Sequence, residues 1–244
     1  MAKAPPRAPL SGPAFIRLLA RLTDVHVAQS NHALADRLSQ WIDWTRAVAV
    51  SKALDGKLPD AETLPEVNAI GADDCARLRT TLATSCVTEL DTLLTRLRSE
   101  ARAAAAAGAP APLADYAPFR QHYLAMQRGM RSTTGDLRGR LRDMLAQSGN
   151  GEMARLAEVD AVMELTLSPR EQSLLATVPT LLGTHFERLR AAHYPAQDTD
   201  TASIRPGSDA WLDVFRNDLQ SVLLAELEVR FHPIEGLLAA LRTR

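Results

Sequence analysis

Lysine is almost missing. Only Lys3, Lys52 and Lys57 stand among the 28 basic residues, so arginine carries nearly all the positive charge, the skew expected of a high-GC bacterial coding sequence. Aromatic residues make up 5% of the chain. No stretch alternates apolar and polar side chains over strand length between turn residues, so no strand is expected. Two cysteines, Cys75 and Cys86, are too few for a disulfide framework. They fall in one predicted helix, about 16 Å apart along its axis. A disulfide needs Cα atoms within about 7 Å, so they read as buried thiols of the core.

Long apolar runs are missing too. The stretch 15–22 is cut by Arg17 and Arg21, which excludes the continuous core of a secretory signal. The uncharged run near 172–186 contains Pro179, Gly183 and His185. No segment reaches the roughly 20 apolar residues of a membrane span, and the expected location is the cytoplasm. Net charge is -1, so no global field draws the chain to nucleic acid or lipid. Phosphate-binding, nucleophile-elbow and His-Glu-x-x-His motifs are absent. So are the Glu-x-x-His pairs of di-iron bundles. Glu228 and His232 lie four apart but offer only two ligands, where three or four are normal. Gly149-Asn150-Gly151 follows a helix, not a strand, and is too short for a dinucleotide. No cofactor and no metal are expected, and no repeat of solenoid period occurs.

What remains is 244 residues, 46% of them hydrophobic, with the apolar weight on alanine and leucine. Those are helix formers. Residues 1–10, with Pro5, Pro6 and Pro9, read as a flexible tail, and 11–244 as a single all-helical domain. Ser11 and Pro13 open a first helix. A second region, to about 54, has Leu34, Leu38, Trp41, Ile42, Thr45, Val48 and Ala49 on one face, with a bend at Asp43-Trp44-Thr45. The stretch 55–74 holds six acids and one lysine and reads as an acidic loop. A long helix over 72–107 follows, striped by Cys75, Leu78, Leu82, Cys86, Leu90, Leu93 and Leu97. A Pro/Ala-rich turn at 108–114 ends it. The next helix, 115–148, buries Phe119, Tyr123, Met126, Met130, Leu137, Leu141 and Met144. Joined by so short a turn, the two form a long central antiparallel hairpin. A helix over 152–167 follows, with Met153, Leu156, Met163 and Leu167 aligned. Ser168-Pro169-Arg170-Glu171 reads as the start of another, running to about 193 with a kink at Pro179. After a polar loop, 195–207, Ser208 caps a helix carrying Trp211, Phe215, Leu219, Val222 and Val229. Pro233 is expected to break it near 231. The fold class is an all-α elongated helical bundle.

Three ionisable residues interrupt apolar faces. Asp160 breaks the Met153–Leu167 stripe, and His185 sits among Leu174, Val178, Leu181, Leu182, Leu189 and Ala192. Glu226 breaks the Phe215–Val229 stripe, with Arg230 four residues on in the favourable order for an ion pair. Buried acids and histidines are usually satisfied structural groups. Were these three to meet in a cleft, they could do acid/base chemistry. A second feature is an arginine stripe. Arg120, Arg128, Arg131, Arg138 and Arg142 fall within roughly 80° of one helix over about 33 Å, and Arg140 points elsewhere. Guanidinium suits carboxylate or phosphate. The stripe reads as a dock for an acidic helix, an anionic surface or nucleic acid, as a solvated face, or as one paired within the chain to the acidic 55–74 loop. No aromatics interleave for base stacking, so nucleic acid ranks last.

Three stretches stand out: residues 11–24, Ser-Gly-Pro-Ala-Phe-Ile-Arg-Leu-Leu-Ala-Arg-Leu-Thr-Asp; 37–45, Arg-Leu-Ser-Gln-Trp-Ile-Asp-Trp-Thr; and 174–189, containing Leu-Leu-Ala-Thr-Val-Pro and His-Phe-Glu-Arg-Leu-Arg. Together they resemble a proteobacterial family, domain-of-unknown-function family 3348, over nearly the whole chain. The resemblance transfers no activity, fold or catalytic residue. Its genes lying near those of OmpA-like envelope proteins implies an assembly linked to the envelope. The leading expectation is a non-enzymatic scaffold whose partner is another protein. An enzyme built on Asp160, His185 and Glu226 comes second, and nucleic-acid or anionic-surface binding by the arginines third.

Overall fold

The computed structural model describes residues 14–23, 34–57, 70–108, 114–193 and 210–242. These form eight helices and, among the described residues, no strand. The helices are α1 (Ala14–Thr23), α2 (Leu34–Trp41), α3 (Trp44–Asp55), α4 (Ala72–Ala106), α5 (Ala117–Ala146), α6 (Gly151–Leu175), α7 (Val178–His193) and α8 (Ala210–Arg242). The expected tail 1–10, the Ser11 and Ser208 caps, the polar loop 195–207, and the greater part of the acidic loop and of the 108–114 turn lie outside the described residues.

The bend near Asp43 is a full break between helices. Asp43 is extended and its carboxylate accepts from the Arg46 amide, starting α3, as a short acid does at an N-cap. Gly149, at φ +72°, turns the chain through the left-handed region that glycine tolerates. Asn150 then caps α6 by accepting from the Glu152 and Met153 amides.

Two proline expectations are overturned. Ser168-Pro169 does not start a helix, because α6 runs through Pro169 to Leu175. The carbonyl freed by the missing amide belongs to Leu165, 77% exposed, so water can satisfy it. The residues of the supposed cap work elsewhere: the Arg170 guanidinium lies 4.7 Å from the Trp41 ring centre, and Glu171 pairs with Arg230. The break falls at Ala176-Thr177, and Pro179 sits in the first turn of α7, where its lost donor costs nothing. Leu174 therefore belongs to α6, and it is exposed instead of joining the His185 stripe, as is Leu156 instead of joining the Met153 face. Nor does Pro233 end α8, which continues to Arg242. An interior proline costs about 3 kcal/mol. Burial of Ile234 and Leu237 just beyond it, at about 1.5–3 kcal/mol each, offsets that.

The α4–α5 hairpin forms and is antiparallel: the Ile70 amide before α4 meets Met144 Sδ near the end of α5. α8 lies alongside both and packs more extensively on each than they do on one another. It runs antiparallel to α4, with Arg79 paired to Glu228 and Glu235 at one end and Arg98 to Asp213 at the other. α6 folds back along α5, and α3 lies on α6. The buried cluster centres on Phe119, Phe186 and Phe215, with Phe215 edge-on to the other two at 5.3 and 4.9 Å, Phe119 tilted on Phe186 at 5.9 Å, and Tyr116 and Trp211 around them. Tyr116 reaches in to donate to the Pro179 carbonyl. Its ring lies where a Cβ on Gly183 would come within 2.9 Å, so only glycine fits there.

Candidate functional site: an arginine face and three polar networks

The arginine stripe of α5 divides. Arg138 Nε and Nη2 donate to the two carboxylate oxygens of Asp160 at 2.8 and 2.6 Å. Arg142 donates to Asp160 at 3.1 Å and also to Glu164. Both side chains are largely covered. Burial lowers the proton affinity of Arg142, but its bonds to Glu164 and Asp160 more than offset this and hold it above the ordinary arginine value. The stripe's C-terminal half is thus a clamp between α5 and α6. The acids it holds are Asp160 and Glu164 of α6. Arg120, Arg128 and Arg131 remain exposed, and among the described residues none of them joins a salt bridge.

Glu226 is fully buried. Its Oε2 accepts from Tyr123 Oη at 2.5 Å and from Gln127 Nε2 at 3.0 Å. Its Oε1 accepts from Arg230 Nε and Nη2 at 3.0 and 2.7 Å. Gln127 also donates to the Leu175 carbonyl that ends α6, and Arg230 reaches Glu171. Every lone pair of the carboxylate has a donor, the condition under which a buried charge is tolerated. Burial and the neighbouring carboxylate push the Tyr123 phenol far above its usual range. The network ties α5, α6 and α8 in one register.

His185, buried on α7, meets Asp218 of α8 through Nε2 at 2.8 Å. Its Nδ1 lies 2.9 Å from Arg188 Nη2. Guanidinium can only donate, so Nδ1 accepts and the proton sits on Nε2, giving a neutral ring. Arg188 continues to the Leu22 carbonyl at the end of α1. This chain of contacts fastens α1, α7 and α8.

Asp160, His185 and Glu226 therefore sit in three networks that share no residue, and no hydrogen bond joins any two of them. The Glu226–Arg230 pair followed from spacing. Tyr123 and Gln127 for Glu226, Asp218 for His185, and Arg138 and Arg142 for Asp160 carried no sequence signal as partners, because each lies on another helix. Cys75 and Cys86 are buried and free; burial pushes the Cys86 thiol up to about 11. Glu228, weighed with His232 as a ligand pair, is taken by Arg79, which holds its carboxyl below the ordinary value. Among the described residues no three His, Cys, Asp or Glu side chains converge as a metal site, and no helix is long and apolar enough to cross a membrane.

No curated protein and no solved structure matches the chain. A family model described as Protein of unknown function (DUF3348) matches residues 1–243. With nearly its whole length covered by that model, the chain belongs to this family.

Proposed function

We propose that the chain is a non-enzymatic helical interaction protein, a scaffold or adaptor, and that its partner docks on the outward face of α5 at Arg120, Arg128 and Arg131. One observation carries this reading: the three are exposed and enter no salt bridge among the described residues, whereas Asp160, His185 and Glu226 are each satisfied within the fold. Unpaired guanidinium groups spaced along one helix suit carboxylates presented by another. The partner is a protein carrying an acidic helix. The setting is a bacterial assembly linked to the envelope, with this chain on its cytoplasmic side.

The test is capture from the native host on immobilised protein, in parallel with an Arg120→Glu/Arg128→Glu/Arg131→Glu variant. A partner held at low salt, released by added salt and weakened at least about tenfold by the variant is expected. Recovery of nothing above background at low salt refutes the reading. So does a mobility shift of generic DNA with steep salt dependence that the variant abolishes, since it reassigns the face to nucleic acid.

A further inference from the structure

The exposed charges of α5 differ between its two halves, Arg140 being an exposed cation of the second half. Arg120, Arg128 and Arg131 lie in its first half, Asp136 and Asp143 in its second. All five are exposed, and none joins a salt bridge among the described residues. The clamp to α6 removes Arg138 and Arg142 from the second half, which leaves the two acids there with exposed Arg140 turned about 40–60° from them round the helix. At about 100° per residue, with Arg120 at zero, Gly139 falls near 100°, Arg128 near 80°, and the two acids near 140–160°.

The same face is floored by glycine. A Cβ at Gly129 or Gly135 would meet nothing within 4 Å, and at Gly139 only the Arg142 guanidinium at 3.9 Å. Glycine weakens a helix relative to alanine, and nothing among the described residues calls for it at these positions. Missing side chains do let a second helix axis come closer than usual.

We propose that this face docks a second copy of the chain, with α5 of one molecule antiparallel on α5 of the other. The proposal rests on the reading of α5 as the docking face and names the occupant. When the crossing lies between 133 and 134, reversal of direction sets Arg128 over the partner's Gly139. The guanidinium then lies between the partner's Asp136 and the partner's Asp143, and the contact occurs twice by symmetry. Arg120 approaches the C-terminal end of the partner's α5, where free carbonyls favour a cation. A parallel arrangement would set Arg128 against its own copy and is disfavoured by like charge.

The experiment is the dissociation constant of the dimer by sedimentation velocity, with circular dichroism confirming the fold of each exposed-residue variant. The wild type is expected to dimerise at low salt. Arg128→Glu alone, and Asp136→Arg/Asp143→Arg alone, are each expected to weaken the dimer about tenfold or more. The combined Arg128→Glu/Asp136→Arg/Asp143→Arg variant restores it, because antiparallel pairing exchanges the two signs while parallel pairing does not. A wild type that stays monomeric up to about 0.1 mM, a scale at which a specific interface of useful affinity is occupied, overturns the proposal. So does a dimer indifferent to all three variants, or one that the combined variant fails to restore. If the purified chain is monomeric yet captures a different protein through Arg120, Arg128 and Arg131, the docking reading stands and self-pairing falls.

Discussion

The two faces of α5 follow opposite rules. Inward, Phe119, Tyr123, Met130, Thr134, Leu137, Leu141 and Leu145 are buried. The polar atoms among them are answered: Tyr123 by Glu226 and Thr134 by the Met130 carbonyl. Outward, five charges have no ion-pair partner among the described residues, and three glycines dilute the helix. Folding of the single chain accounts for the first face. It does not account for the second, which costs the isolated helix stability, so its residues answer to something outside the fold.

The largest expected effect breaks the inward side. Glu226→Ala leaves Arg230, whose side chain is 8% exposed, with only the rim contact to Glu171, and strips Tyr123 of its acceptor. Removing one partner of a buried pair costs about 3–5 kcal/mol. Urea unfolding should show a loss of that size, whereas Arg128→Ala on the outward face should stay within about 0.5 kcal/mol for the monomer. Equal losses from both substitutions would erase the distinction.

Much of the inward side was legible in the sequence. The apolar spacing of α4, α5 and α8 marked the buried stripes, and Asp160, His185 and Glu226 stood out as polar interruptions of such stripes. Apart from Arg230, their partners were not legible, because Tyr123, Asp218, Arg138 and Arg142 come from helices whose placement no local pattern encodes. Arg138 and Arg142 share an arc with Arg128. The arc cannot reveal that α6 covers one edge of it. Prolines misled for a related reason. Pro169 and Pro233 look like boundaries locally, yet a carbonyl on an exposed residue costs little to free, and buried Ile234 and Leu237 hold the last turns of α8.

A smaller effect of opposite sign sharpens the outward side. Gly129→Ala and Gly135→Ala add a Cβ into open space. Each should stabilise the monomer by about 0.8–1 kcal/mol, read as a raised urea midpoint at unchanged slope. Destabilisation at either position would mean that the helix floor is already filled within the chain, and the argument from idle glycines would fail.

The smallest effect sits on the seam between the faces. His122 has a buried Nε2 with no hydrogen-bond partner among the described residues. Burial holds its imidazole below the ordinary 6.5, with the Glu89 carboxylate of α4 opposing the shift. The unfolded ring takes its proton near that ordinary value and the folded ring only at lower pH. Between the two the unfolded chain binds more protons, so stability falls as the solution is acidified through that window, by less than about 1.4 kcal/mol per pH unit from this one group. His122→Leu removes the linkage. The difference in unfolding free energy between wild type and variant, followed from pH 7.5 to 5.5 (about the window set by an ordinary histidine), should move steadily in favour of the variant. A difference that stays flat would show that water reaches Nε2. The seam would then belong to the solvated outer face of α5 and not to its core.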